Sequence, residues 1–265
     1  MDPWWPAYLA IGVLVGLLAG LLGIGGGMVM VPMLVFVFRA KGFAAEQLLH
    51  IAIATGMASI VFTSISSVRA HHAHGAVDWK IAIAMSPGMV AGSFGAALAA
   101  GFIPTRPLAV LFAGFIFYAA TRMMFGAPPR AERPLPGPAG LFAAGAGIGA
   151  ASSLLAAGGA FLSIPFLARR GVPLKRALGT AAANGFPVAV AGSAGYALHG
   201  LRVADLPAGS LGYIYLPALV PVVVTSMLAA PLGARLAHRL PVARLRTLFA
   251  LLFYLLAARM LASLW

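Results

Sequence analysis

The stretch GIGGGMVMVP, Gly23 to Pro32, lies in the middle of an apolar segment that runs from residue 7 to residue 38. As one unbroken helix that segment would reach about 48 Å at 1.5 Å per residue, against a hydrocarbon core about 30 Å thick. Glycine costs a helix interior about 1 kcal/mol relative to alanine, and proline about 3 kcal/mol. The cluster Gly25, Gly26, Gly27 followed by Pro32 therefore predicts an interruption near the segment's centre. An interruption frees backbone N–H and C=O groups, which at membrane depth must be buried in protein or line a cavity. The competing reading is close helix packing, because small residues let helices approach. GxxxG-type spacing recurs at Gly12, Gly16 and Gly20 and at Gly145 and Gly149.

The rest of the chain sets the scale of that break. Of 265 residues, 62% are hydrophobic and 9% charged, where a soluble domain carries about 25% charged residues. Water could not solvate such a surface, whereas lipid can, so the expected fold class is an all-α polytopic membrane protein. Charged and Pro/Gly-rich stretches divide it into eight hydrophobic segments: 7–38, 44–68, 80–101, 106–125, 139–168, 175–198, 209–237 and 242–263. One stretch, GAPPRAERPLPGP at 126–138, reads as a stiff exposed linker. It separates a first membrane repeat, 1–125, from a second, 139–265.

The two halves carry the same landmarks in the same order. GGGMVMVPML (Gly25–Leu34) lies over GGAFLSIPFL (Gly158–Leu167), pairing Pro32 with Pro165. Thr55 pairs with Thr180, His74-Gly75 with His199-Gly200, and Arg122-Met123 with Arg259-Met260. The second copy of the break, around Ser152-Ser153 and Gly158-Gly159, is the weaker motif. If the first segments of each half span, the halves are parallel. If those segments dip in and return, the halves are inverted. Loop charge favours the second arrangement. Spanning segments split the 18 Lys and Arg 11 to 7 across the membrane, and re-entrant segments split them 13 to 5, with 39, 41, 106, 202 and 259 on the poor side. The stronger bias fits the positive-inside rule. That rule also accounts for the net charge of +13 without nucleic acid, since no basic run is interleaved with exposed aromatics.

The chemistry is defined by what the membrane segments lack. Asp2, Asp78, Glu132 and Asp205 fall outside them and Glu46 stands only at the edge of the second, so a sodium site or carboxylate proton relay is unsupported. No cysteine is present, and no HExxH, GxSxG or GxxxxGK[ST] motif occurs. The reading is therefore of a non-enzyme with no cofactor, no catalytic residues and no metal site. His71-His72-Ala73-His74 has no partner ligand except Asp78. His50 begins a helix, and histidine is the residue type able to change charge near neutrality, so it is named for proton or ion coupling with nothing else in the sequence to support it. What the interior offers is donors: backbone amides at the breaks, hydroxyls and one amide side chain. These suit a small anion, and a half-helix starting after a break adds its positive end. The candidate substrate-binding set is Gly25, Gly26, Gly27, Thr55, Ser59, Gly158, Gly159, Thr180 and Asn184, with more weight on Gly25–Gly27 than on Gly158-Gly159. For each hydroxyl the alternative is a bond to its own helix carbonyl. Arg122 and Arg259 read as snorkelling side chains. No feature assigns an oligomeric state.

The motif G-[IV]-GGG followed by an apolar stretch and proline, Gly23 to Pro32, together with its second copy from Ala157 to Pro165 and RRGVPLKRALGTAAAN (Arg169–Asn184), resembles the sulfite exporter TauE/SafE family, also called the toluene sulfonate uptake permease family. The resemblance covers nearly the whole chain. It implies a bacterial inner-membrane transporter, exporter or permease, for small sulfur-containing anions such as sulfite, thiosulfate, sulfoacetate or other sulfonates. An anion channel or a membrane scaffold without transport is the competing reading.

Overall fold

The computed structural model describes residues 3–22, 26–126, 133–237 and 242–262. Among them are ten helices and one two-stranded hairpin: α1 (Trp5–Leu22), α2 (Gly27–Ala40), α3 (Ala45–Ala73), α4 (Trp79–Ala100), α5 (Thr105–Phe125), α6 (Pro138–Leu154), α7 (Ala160–Arg169), α8 (Leu174–Gly200), β1 (Ser210–Leu211), β2 (Ile214–Tyr215), α9 (Leu216–Ala237) and α10 (Val242–Ala262). The eight apolar segments become ten helices because the first and the fifth each divide in two. The start of the seventh segment is the β1–β2 hairpin rather than helix. Residues 127–132 of the linker and Gly25 of the first break lie outside the described residues.

Among the described residues, length and composition qualify four helices as able to cross a membrane: Ala45–Ala73, Trp79–Ala100, Thr105–Phe125 and Leu216–Gly233. Helix α8, 27 residues long, falls short of that composition, and the shorter apolar helices include both arms of each break. Proline stands at the sixth position of α2 (Pro32) and of α7 (Pro165). At each, the backbone loses a bond to the carbonyl one turn earlier. The cost is tolerable because neighbouring helices enclose the freed group.

The burial pattern is that of a protein solvated by lipid. Every residue from Leu48 to Ile60 on α3 is buried. Large apolar side chains on the outer helices are instead exposed, among them Ile83, Val110, Phe117, Leu228, Leu248 and Leu255. Helix α3 packs on α8 at the centre. Helix α1 lies along α9, α6 along α4, and α5 along α10. Glycine makes two of these approaches possible. A methyl group added at Gly12 or Gly16 would overlap the α9 backbone, and one at Gly145 or Gly149 would overlap that of α4. At these four positions the GxxxG-type spacing is helix packing.

Contacts between helix ends show how the broken segments run. The Tyr8 ring near the start of α1 meets the Phe38 ring near the end of α2 at 6.4 Å, so α2 returns to where α1 began. In the second half, the Arg133 N–H donates to the Arg169 carbonyl at 3.3 Å, and Arg170 Nη1 donates to the Pro134 carbonyl at 3.2 Å. The residues leading into α6 therefore lie beside the end of α7.

One end of the bundle is held by rings. Tyr213 in the β-hairpin stacks between His50 of α3 (5.2 Å) and His199 of α8 (5.9 Å). His50 Nε2 faces the carbonyl oxygens of Ala100 (3.0 Å) and Ile103 (3.1 Å), so that nitrogen carries the proton and donates. Nearby, Lys41 Nζ lies over the Tyr215 ring at 4.7 Å.

Candidate functional site

The two breaks meet. A methyl group added at Gly27 would overlap the carbonyl oxygen of Ala156, and one at Gly56 would stand 3.4 Å from the Ala156 Cβ. Gly26 opens α2 with φ −81° and ψ −4°, an ordinary helical conformation. The second break is more contorted: Ala156 (φ 45°), Gly158 (58°) and Gly159 (79°) all take left-handed backbone. Only glycine adopts that conformation without steric cost, which explains the glycines here and makes Ala156 the strained member.

A cavity of about 310 Å³ adjoins both breaks. Gly26 and Gly158 lie on its wall, with Ser59, Thr63 and Ser64 of α3 and Gly185 of α8. Ser226 of α9 closes another side. A larger recess of about 690 Å³ is lined by Arg39, Glu46, Thr105 and Arg106, at the far end of α2 from the break. The smaller cavity is the candidate site because both interrupted segments contribute backbone to it.

Of the residues expected from sequence, all but Gly25 and Asn184 fall into three groups. Gly26, Ser59 and Gly158 line the cavity. Gly27 and Gly159 are buried at the first turns of α2 and α7, where they shape the breaks. Thr55 and Thr180 are wholly buried and are not on the cavity wall. The Thr55 hydroxyl accepts the Tyr215 N–H at 3.0 Å, and the Thr180 hydroxyl accepts the Asp78 N–H, also at 3.0 Å. Asp78 caps α4 by accepting the Ile81 N–H at 3.3 Å. Tyr215 precedes α9 directly. Each threonine thus holds the entry of an outer helix from the other half of the chain.

Asn184 is wholly buried, its Oδ1 facing Ser86 Oγ at 3.3 Å. Its Nδ2 has no partner. Other unpartnered buried groups include Ser152 Oγ, Ser163 Oγ and Ser193 Oγ. Ser163 and Ser86 are the residues that sequence reading passed over. A signal existed for Ser163: it is the polar residue in the otherwise apolar arm AFLSIPFL, where the first copy has Met30.

No three His, Cys, Asp or Glu side chains come together as a metal site among the described residues. In the histidine run, His74 Nδ1 donates to the Ala70 carbonyl at 2.7 Å, and His72 Nδ1 accepts from Trp79 Nε1 at 3.2 Å. Arg122 and Arg259 stand in the last turns of α5 and α10.

Comparison with known proteins agrees with this architecture. The pattern of the family described as sulfite exporter TauE/SafE matches residues 8–260. A probable membrane transporter protein of Haemophilus influenzae is 35% identical over 257 residues, covering 95% of this chain and 96% of that protein. The probable membrane transporter protein YdhB of Bacillus subtilis is 26% identical, covering 86% of this chain and 88% of its own length. One from Methanocaldococcus jannaschii is 27% identical, with coverage of 86% and 82%. The chain is a multi-pass α-helical membrane protein and belongs to the TauE/SafE sulfite exporter family of membrane transporters.

Proposed function

We propose that this protein is a secondary transporter, exporter or permease, of small sulfur-containing anions such as sulfite, thiosulfate or sulfonates including sulfoacetate, in the bacterial inner membrane. The observation that carries the reading is the meeting of two interrupted helices beside a cavity that contains no acidic side chain. Donors in a water-poor setting favour an anion, and discontinuous helices at a repeat interface are where transporters bind their substrates.

The helix ends support an inverted arrangement. On this reading α1–α2 and α6–α7 are re-entrant hairpins entering from opposite faces, and α3–α5 and α8–α10 each cross three times. Arg39, Lys41, Arg106, Arg202 and Arg259 then lie outside, the remaining basic residues inside, and residues 126–138 join two repeats of opposite orientation. Gly25 to Gly27 and Gly158-Gly159 supply the substrate-facing backbone, with Ser59 and Asn184 beside it. Thr55 and Thr180 hold the frame. One half rocking against the other alternates access.

The purified protein in proteoliposomes tests the reading. Flux of radiolabelled sulfite, thiosulfate or an alkylsulfonate above that of empty vesicles is the expected result. Vesicles tight to all three would overturn the substrate assignment.

A further inference from the structure

Four hydroxyls on the cavity wall are already held close by carbonyls of their own helices. Ser59 donates to the Gly56 carbonyl at 2.7 Å, Ser64 to Val61 at 2.9 Å, Ser66 to Thr63 at 2.9 Å and Ser226 to Val223 at 3.1 Å. A hydroxyl has one proton. With that proton on its own helix, each side chain turns lone pairs toward the cavity, which repel an anion. The open cavity is therefore a vestibule and a poor place to hold negative charge.

Unused protons lie behind the second break. Ser152 Oγ, Ser163 Oγ and Asn184 Nδ2 are wholly buried and unpartnered. A methyl group built on Gly159 would stand 3.9 Å from Ser163 Oγ and 4.0 Å from Ser152 Oγ, with Val188 at 3.7 Å. Both hydroxyls thus converge on one glycine. Asn184 sits one turn before Val188 on α8. Gly159 is also the N-cap of α7 and carries no side-chain cap, so the positive end of that helix faces the same spot. Gly158 and Ala160, on either side of Gly159, line the vestibule. The left-handed loop of the break thus lies between these donors and the vestibule.

The charge of the surroundings selects the guest. Helix α6, the first nine residues of α7, residues 180–193 of α8 and residues 81–93 of α4 contain no Lys, Arg, Asp or Glu. The available offset is a few neutral donors and about half a positive charge from the helix end. The cost of dehydrating an ion rises with the square of its charge, so a dianion loses about four times what a monoanion loses for the same radius. Building on the transport reading above, we propose that Ser152, Ser163 and Asn184, with the N-terminus of α7, form an occluded site for a singly charged oxyanion: an organosulfonate head group or hydrogensulfite. The anion enters from the vestibule by displacing the Gly158-Gly159 loop. Doubly charged sulfite, sulfate and thiosulfate are disfavoured.

Thermal shift and titration calorimetry of the full chain in detergent test this, because a ligand that binds the folded state alone raises its apparent stability. Methanesulfonate should stabilise on both sides of neutrality, sulfite on the acid side only, and sulfate at matched ionic strength on neither. Ser152→Ala and Ser163→Ala should each weaken methanesulfonate binding about tenfold or more. Their unliganded melting temperature should hold or rise, since each removes an unsatisfied buried group. Ser163→Thr, which keeps the hydroxyl, should retain most of the binding. Methanesulfonate affinity unchanged in both alanine variants would overturn the site while leaving transport intact. Sulfate binding as tightly as methanesulfonate would overturn the charge rule. If the native protein neither bound nor moved any of these anions, the transport reading would fall, and the site with it.

Discussion

At the first break Gly26 keeps a right-handed conformation and the chain passes directly into α2. At the second, three residues out of Ala156–Gly159 are left-handed before α7 begins. The polar groups differ in the same sense. Residues at matching sequence positions are Ala19, Met30 and Ser59 in the first half and Ser152, Ser163 and Asn184 in the second. In the first half one polar group is present, and it is engaged: Ser59 Oγ contacts the Gly56 carbonyl and Met30 Sδ (3.2 Å). In the second, three groups are present and each keeps an unused proton. Two similar interruptions of the backbone carry two chemistries. The first break packs against its counterpart, and the second offers donors.

The largest effect should come where the breaks touch. Gly27→Ala drives a methyl group into the Ala156 carbonyl, a backbone atom that no rotamer change can remove. It should lower stability by up to about 3 kcal/mol and stop flux in vesicles. Gly159 is limited differently. It has room for a methyl group, but φ +79° makes any L side chain costly, by about 1–2 kcal/mol for alanine. Gly159→Asn should recover part of that loss, because asparagine tolerates left-handed backbone, whereas Gly27→Asn should be worse than Gly27→Ala. Melting curves of the four variants decide it. If asparagine were equally tolerated at both sites, the two breaks would be one device after all.

The threonine pair gives a control away from the cavity. Thr55→Val strands the buried Tyr215 N–H, at a cost of about 2 kcal/mol, and Thr180→Val strands the half-buried Asp78 N–H, at a smaller cost. Serine at either position should restore it. The Thr55→Val loss should be the larger, because the Tyr215 N–H is buried and the Asp78 N–H only half-buried, although the two bonds have the same length. Anion affinity measured below the melting transition should stay unchanged in both. A selective loss of affinity in Thr180→Val would draw that residue into the second-break site.

These contrasts also mark what could be read from the chain. The interruption itself was legible, because excess length, clustered glycine and a following proline all point the same way. So was the pairing of Thr55 with Thr180, though as a site rather than as a pair of helix anchors. A hydroxyl in a spanning segment looks the same whether it faces a ligand, its own helix or a neighbouring backbone, so only partners distinguish these. Asp205 follows His199-Gly200 much as Asp78 follows His74-Gly75, yet the two do not play the same part, for a related reason. The second half inserts a hairpin, and Tyr215, not Asp205, occupies the place where the helix entry is held. The strongest glycine motif drew attention to the first break. The donors that suit an anion lie at the second, on serines whose importance depends on having no partner, a property no local pattern records.

The smallest expected effect concerns the vestibule. Ser64 lies on the cavity wall, and a residue in that position is easily assumed to bind what passes. Its proton, however, is held by the Val61 carbonyl of its own helix. Removing the hydroxyl leaves that carbonyl with its ordinary backbone partner and leaves the cavity one lone-pair group poorer. Ser64→Ala should therefore change stability by no more than about 0.5 kcal/mol and leave methanesulfonate affinity as it was, while Ser163→Ala, behind the break, weakens it. The two substitutions delete the same atom from two hydroxyls close to the same cavity, so size and polarity cannot account for a difference between them. Only the prior use of the proton can. Equal losses of affinity would mean that the vestibule hydroxyls turn away from their helices to meet the anion, and that both breaks share the binding.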